Sequence, residues 1–117
     1  MKKVLIIEDD KDTLDAIHYI AEDLNLEVIN SSSVLQVAEI KAISPDLILM
    51  DHWVGNKLGG DLCLSLKSDP TTKDIPVVIL SAHNNIRQIA EKSCANTFLS
   101  KPFDIDELTD IINRYVG

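Results

Sequence analysis

The sequence is short of basic residues, of cysteine and of long apolar runs, and each shortage removes a class of function. Eleven Lys and Arg stand against nineteen Asp and Glu, a formal net charge of −8. Nucleic-acid binding needs a basic face, so no nucleic-acid partner is expected, whereas a cation or a protein partner is. Cys63 and Cys94 are too few and too widely separated for a zinc site or a disulfide framework, which favours a reducing cytoplasm. His18 and His83 add no metal-ligand spacing to them. No apolar run approaches the ~20 residues of a membrane span, so no membrane partner is expected. Met1-Lys2-Lys3 leads straight into an apolar stretch too short for a signal-peptide core. Repeats, linkers and low-complexity tracts are lacking as well.

What is present is enough for one domain. The 117 residues fall within the ~100–150 typical of a single domain, and 45% hydrophobic content allows a real core. The expected domain covers residues 1–117, with no room for a second. Val4–Ile7, Leu47–Met50 and Val77–Leu80 are short, continuous apolar runs of the kind that form strands buried on both faces. Leu26–Ile29 and Thr97–Leu99 supply two further short strands. Between them, Leu14, Ile17, Ala21 and Leu24 recur at helical spacing, and Asn25 ends that helix. Ser33 with Gln36 matches a capping box opening a second helix to about Ile43. A third helix runs through Leu62, Leu64 and Leu66, all read as core. Asn84–Ser93 is a weak helix with Ile86, Ile89 and Ala90 as its apolar residues. Asp104 and Glu107 cap a last helix carrying Ile105, Leu108, Ile111, Ile112 and Tyr115. His52–Gly60 and Ser68–Pro76 read as loops. Five strand–helix units predict an α/β fold, a doubly wound parallel sheet with helices on both faces.

Chemistry gathers where the apolar runs stop. Val4–Ile7 runs into Glu8-Asp9-Asp10, Leu47–Met50 into Asp51, and Val77–Leu80 into Ser81. Open α/β sheets place their chemistry at the carboxyl edge, and acidic and hydroxyl groups delivered to one rim suit a magnesium and phosphate site. Asp10 and Asp12 read more simply as helix caps or exposed carboxylates.

With Lys101 in Lys101-Pro102-Phe103, these residues resemble, over essentially the whole chain, the receiver domain of two-component response regulators. The resemblance implies a flavodoxin-like receiver fold of five strands in the order 2-1-3-4-5 with five helices. Asp51 is implied as the phosphoacceptor, with Ser81 and Lys101 contacting the phosphoryl group. Mg²⁺ is the implied cofactor, bound by Asp9, Asp51 and the backbone carbonyl of Trp53, with Glu8 acting through water. Ser81 and Phe98 stand at the family's switch positions. The implied partners are a sensor histidine kinase or phosphotransfer protein and a downstream protein target. The implied protein is a single-domain phosphoprotein of the phosphorelay, not an enzyme beyond catalysing its own phosphorylation and autodephosphorylation.

Three other functions compete. A receiver-like interaction module that never takes phosphate would lack an acid or the lysine, and neither is missing. A magnesium-dependent phosphatase of the haloacid dehalogenase type needs a second acid two residues beyond its nucleophile, where Trp53 stands. A flavodoxin-like nucleotide binder needs a phosphate-cradling loop after the first strand, and Glu8-Asp9-Asp10 would repel phosphate. The chain departs from the family pattern at Gly55, where proline is usual, at Leu58, where a small polar residue is customary, and at Cys94-Ala95-Asn96, where Gly-Ala-Asp is common. His52 follows Asp51 on a strand, so its side chain is expected on the opposite face rather than serving as a general base.

Overall fold

The three apolar runs lie at the centre of the sheet because each strand presents hydrophobic side chains to both faces. The computed structural model describes residues 1–116. Its main sheet comprises β1 (Lys3–Ile7), β2 (Glu27–Ser31), β3 (Leu47–Asp51), β6 (Val77–Ser81) and β7 (Thr97–Ser100). All neighbours are parallel, in the order β2-β1-β3-β6-β7. The helices are α1 (Lys11–Asp23), α2 (Val37–Ile43), α3 (Gly59–Lys67), α4 (Ile86–Lys92) and α5 (Ile105–Val116). Val4, Ile6, Leu49 and Val78 pack with Ile17 and Ala21 of α1 and Leu108 and Ile112 of α5. Leu5, Ile7, Ile48, Met50 and Ile79 pack on the other face with Ile40 of α2 and Leu62 and Leu66 of α3. This alternation explains why these runs read as continuous rather than amphipathic. The two edge strands, β2 and β7, are only partly covered, unlike the central three. No helix among the described residues is long and apolar enough to cross a membrane.

Local signals set most helix ends. The Asp10 side chain accepts from the Thr13 amide at 3.0 Å and caps α1. Asn25 leaves that helix with φ 62°, the left-handed conformation that asparagine tolerates. Asp104 and Glu107 exchange reciprocal amide–carboxylate bonds of 2.7 and 3.2 Å ahead of α5.

Four expectations are corrected. The second helix starts at Val37, not after Ser33, because the box forms one turn later: the Gln36 amide donates to Glu39 Oε1 at 3.1 Å. Ser33 instead closes a tight turn, its carbonyl accepting from Ser31 Oγ. The span 52–60 is not wholly loop. It carries a small hairpin, β4 (Trp53–Val54) paired antiparallel with β5 (Lys57–Leu58) around Gly55-Asn56. Leu64 is 40% exposed, because Leu62 and Leu66 turn the buried face of α3 inward and Leu64 lies between them on the outer side. The fourth helix begins at Ile86, as Asn84 and Asn85 form a turn.

Cys94 occupies a left-handed position at the end of α4, φ 60°, which glycine would adopt without Cβ strain. Its exposed side chain gives little packing in return. In urea denaturation, Cys94→Gly should raise stability by about 1 kcal/mol. Leu49→Ala, which empties a fully buried site, should cost about 2–5 kcal/mol, whereas Leu64→Ala should change stability by less than about 1 kcal/mol.

Candidate functional site

Parallel pairing brings all carboxyl ends to one rim. Ile7 is in register with Met50, Asp51 with Leu80, and Ser81 with Ser100. The next residues, Glu8 and Asp9 after β1 and Lys101 after β7, therefore extend over the same edge as Asp51 and Ser81. One oxygen from each of Glu8, Asp9 and Asp51 lies within 4.8 Å of the others. Such an all-carboxylate set offers the hard oxygen ligands that Mg²⁺ prefers, and a divalent cation would relieve the crowding of negative charge. The donor set fits the ion that the sequence implies.

Lys101 supplies positive charge. Its ammonium forms a short ion pair with Glu8 Oε1 and a second one with Asp51 Oδ2 at 3.3 Å. Glu8 is fully buried, while Asp51 is partly covered and Asp9 is exposed. Burial pushes the Glu8 carboxyl up to about 7; the Lys101 hydrogen bond opposes this, and the Asp51 carboxylate reinforces it. Burial alone would lower the Lys101 ammonium, but the Glu8 hydrogen bond and the Asp51 charge outweigh it and hold the group above its ordinary value. The free Glu8 oxygen accepts from the Asp9 amide at 3.1 Å. Asp9 Oδ2 accepts from the Gly55 amide at 2.8 Å.

Ser81 is buried at the end of β6, and its hydroxyl oxygen accepts from the His83 amide at 3.0 Å. The hydroxyl proton is thereby left to donate elsewhere. Phe98 is half-buried on β7, with the Arg87 guanidinium 5.5 Å from its ring centroid, a cation–π contact from α4. His52 lies in the bend just after β3, with its side chain half-buried. A Cβ on Gly60 would lie 3.2 Å from its Cε1 and 2.5 Å from Ser93 Oγ, so the ring packs among α3 and the end of α4. His18 pairs with Glu22 at 3.2 Å and hydrogen-bonds Asn30, on the outer side of α1.

The structure thus gathers Glu8, Asp9, Asp51 and Lys101 and places Ser81 on the adjacent strand end. Trp53 follows on the hairpin with its ring 54% exposed, and Phe98 stands apart, beneath α4. Two contributors escaped the sequence reading: the Gly55 amide, a backbone atom with no residue-type signal, and Arg87, whose partner is distant in sequence.

With the metal absent, the Glu8 carboxyl binds its proton more tightly in the folded chain than the ordinary 4.5 of the unfolded one. Its contribution to stability is therefore full below about pH 4.5 and is lost as pH rises through about 7. Chemical denaturation in chelator across this window should show wild-type stability falling relative to Glu8→Gln, with the difference levelling off above pH 7.

Residues 4–113 match the family model of the response regulator receiver domain. The DNA-binding dual master transcriptional regulator RpaA of Synechocystis sp. is 33% identical over 116 residues, covering 92% of this chain. The chain spans only 46% of that longer relative. The polar-differentiation response regulator DivK of Brucella ovis is 28% identical over 120 residues, which cover 99% of this chain and 97% of DivK. Among solved structures, the receiver domain of sensor histidine kinase PA1611 from Pseudomonas aeruginosa, which has a magnesium ion coordinated in its active-site cleft, shares this fold. Its TM-score is 0.88 at 23% identity, over 99% of this chain and 98% of that one.

Proposed function

The chain belongs to the response regulator receiver family of two-component signalling, and from that membership we propose that residues 1–117 act as one Mg²⁺-dependent phosphoacceptor whose reacting group is Asp51. The observation that carries the reading is the meeting of Lys101 with Glu8 and Asp51 beside the exposed Asp9 carboxylate. Asp9, Asp51 and the Trp53 carbonyl would hold the Mg²⁺, with Glu8 acting through water, and the bound ion would supply neutralising charge for the transferring phosphoryl group. A carboxylate is a weak nucleophile, so the protein's part is positioning and electrostatics.

Lys101 orients Asp51 through its 3.3 Å contact with Oδ2. The donor is a phosphohistidine on a sensor histidine kinase or phosphotransfer protein. The new Asp51 O–P bond forms as the donor's P–N bond breaks, the imidazole leaving with the electron pair. Lys101 then neutralises one phosphoryl oxygen and Ser81 donates its hydroxyl proton to another. The acyl phosphate hydrolyses in time, so the only reactions catalysed are the protein's own phosphorylation and dephosphorylation. Phosphorylation adds about −1.5 to −2 charge, and movement of Ser81 toward it draws on the β6–α4 loop. Phe98 and its Arg87 contact then shift, remodelling the surface of α4, β7 and α5 for a downstream protein in the cytoplasm.

Intact mass after incubation with Mg²⁺ and a small acyl-phosphate donor should show one added phosphoryl group on the wild type and none on Asp51→Asn. Chelating the Mg²⁺ should abolish the addition. A wild type that binds Mg²⁺ yet takes no phosphoryl group, either from this donor or from a phosphorylated histidine kinase, would mark an interaction module instead.

A further inference from the structure

A strand-end carboxylate in solvent is a poor metal ligand until something fixes it. Asp9 is exposed and, unlike Glu8 and Asp51, makes no ion pair with Lys101. What holds it is the amide of Gly55, which donates to Oδ2 at 2.8 Å across 46 positions of sequence. That amide is free to do so because of the turn it sits in. Val54 pairs with Lys57, making Gly55-Asn56 a two-residue hairpin turn, and Gly55 has φ +64° at its first central position. Such a turn closes with the amide of its fourth residue and the carbonyl of its first, which leaves the Gly55 N–H unspent. Oδ1 of Asp9 and the second lone pair of Oδ2 stay open.

We propose that the Gly55 amide is a positioning group for Asp9, so that the β4–β5 hairpin sets how tightly the carboxylate cluster binds a divalent cation. This rests on the reading of Asp9 as a metal ligand. In this chain's hairpin, unlike the family loops where proline is usual, the position tolerates little else for conformational rather than steric reasons: a Cβ on Gly55 would meet nothing within 4 Å, yet φ +64° strains most side chains. Positive φ at Gly55 and not at Asn56 marks a II′ turn, in which asparagine is the common substitute for glycine and keeps the N–H; proline forbids the conformation and lacks the N–H. Groups that orient a metal ligand typically contribute about 10–100-fold to affinity.

The test is Mg²⁺ calorimetry on the full chain. Gly55→Asn should bind within about twofold of wild type, and Gly55→Pro about tenfold or more weaker. Equal affinity of wild type and a folded Gly55→Pro overturns the proposal while leaving the proposed function intact. A wild type that binds no Mg²⁺ overturns both. A second measurement needs no variant. Coupling is reciprocal, so saturating Mg²⁺ should slow hydrogen exchange at the Gly55 amide by a similar factor. The Thr71 amide, which makes a comparable 2.8 Å bond to Asp69 Oδ1 in a separate loop, provides the control. Unchanged exchange at Gly55, or equal slowing at Thr71, overturns the proposal whether or not the proline variant folds.

Discussion

Like charges forced together at the rim of a sheet govern this molecule. Two unit charges about 5 Å apart repel by on the order of 3 kcal/mol at an effective dielectric near 20, and three carboxylates share that neighbourhood here. The protein divides the strain unequally. Glu8 is buried and driven toward its neutral form, Asp51 shares the Lys101 ammonium, and Asp9 is left toward solvent on a backbone amide. A site so arranged is short of positive charge and keeps one carboxylate on the outside.

The rim is stiff because the sheet beneath it is buried on both faces. Slipping β3 by one residue would exchange its two sets of core side chains and carry Asp51 away from Lys101. The register that packs Leu49 against one layer and Met50 against the other is therefore the register that places Asp51 beside Lys101. By contrast, the hairpin that follows Asp51 is built from two-residue strands; the Gly55 amide ties it to Asp9, and the buried Val54 anchors it in the core.

Sequence alone revealed the parts that depend on residue type and period. Doubly buried runs ending in Glu8, Asp51 and Ser81 announced the sheet and the rim at which these side chains gather. It did less well where two similar signals competed or where backbone did the work. Ser33/Gln36 and Gln36/Glu39 both have capping spacing, and the local turn at Ser31–Ser33 decided between them. Apolar alternation in Leu62-Cys63-Leu64 hid the outward direction of Leu64, because a helix advances 100° per residue and carries it past the core. The hairpin carried no warning: Gly55-Asn56 suits a turn, but strands as short as two residues have no periodicity to read. The departure at Cys94 now has a physical meaning, since it fills a left-handed site that glycine suits.

The two unpaired margins of the sheet bear on how this chain meets others. β2 carries Glu27, Asn30 and Ser31 and is five residues long; β7 is four residues, bounded by Ser100. Short margins with charged or polar side chains discourage a foreign strand from joining the ladder. That leaves side chains on helices and loops as the favoured contact surface, where the phosphoryl-dependent change proposed at α4 would be felt. Edges that discourage strand addition favour side-chain contacts that come apart again, as the proposed signal would require.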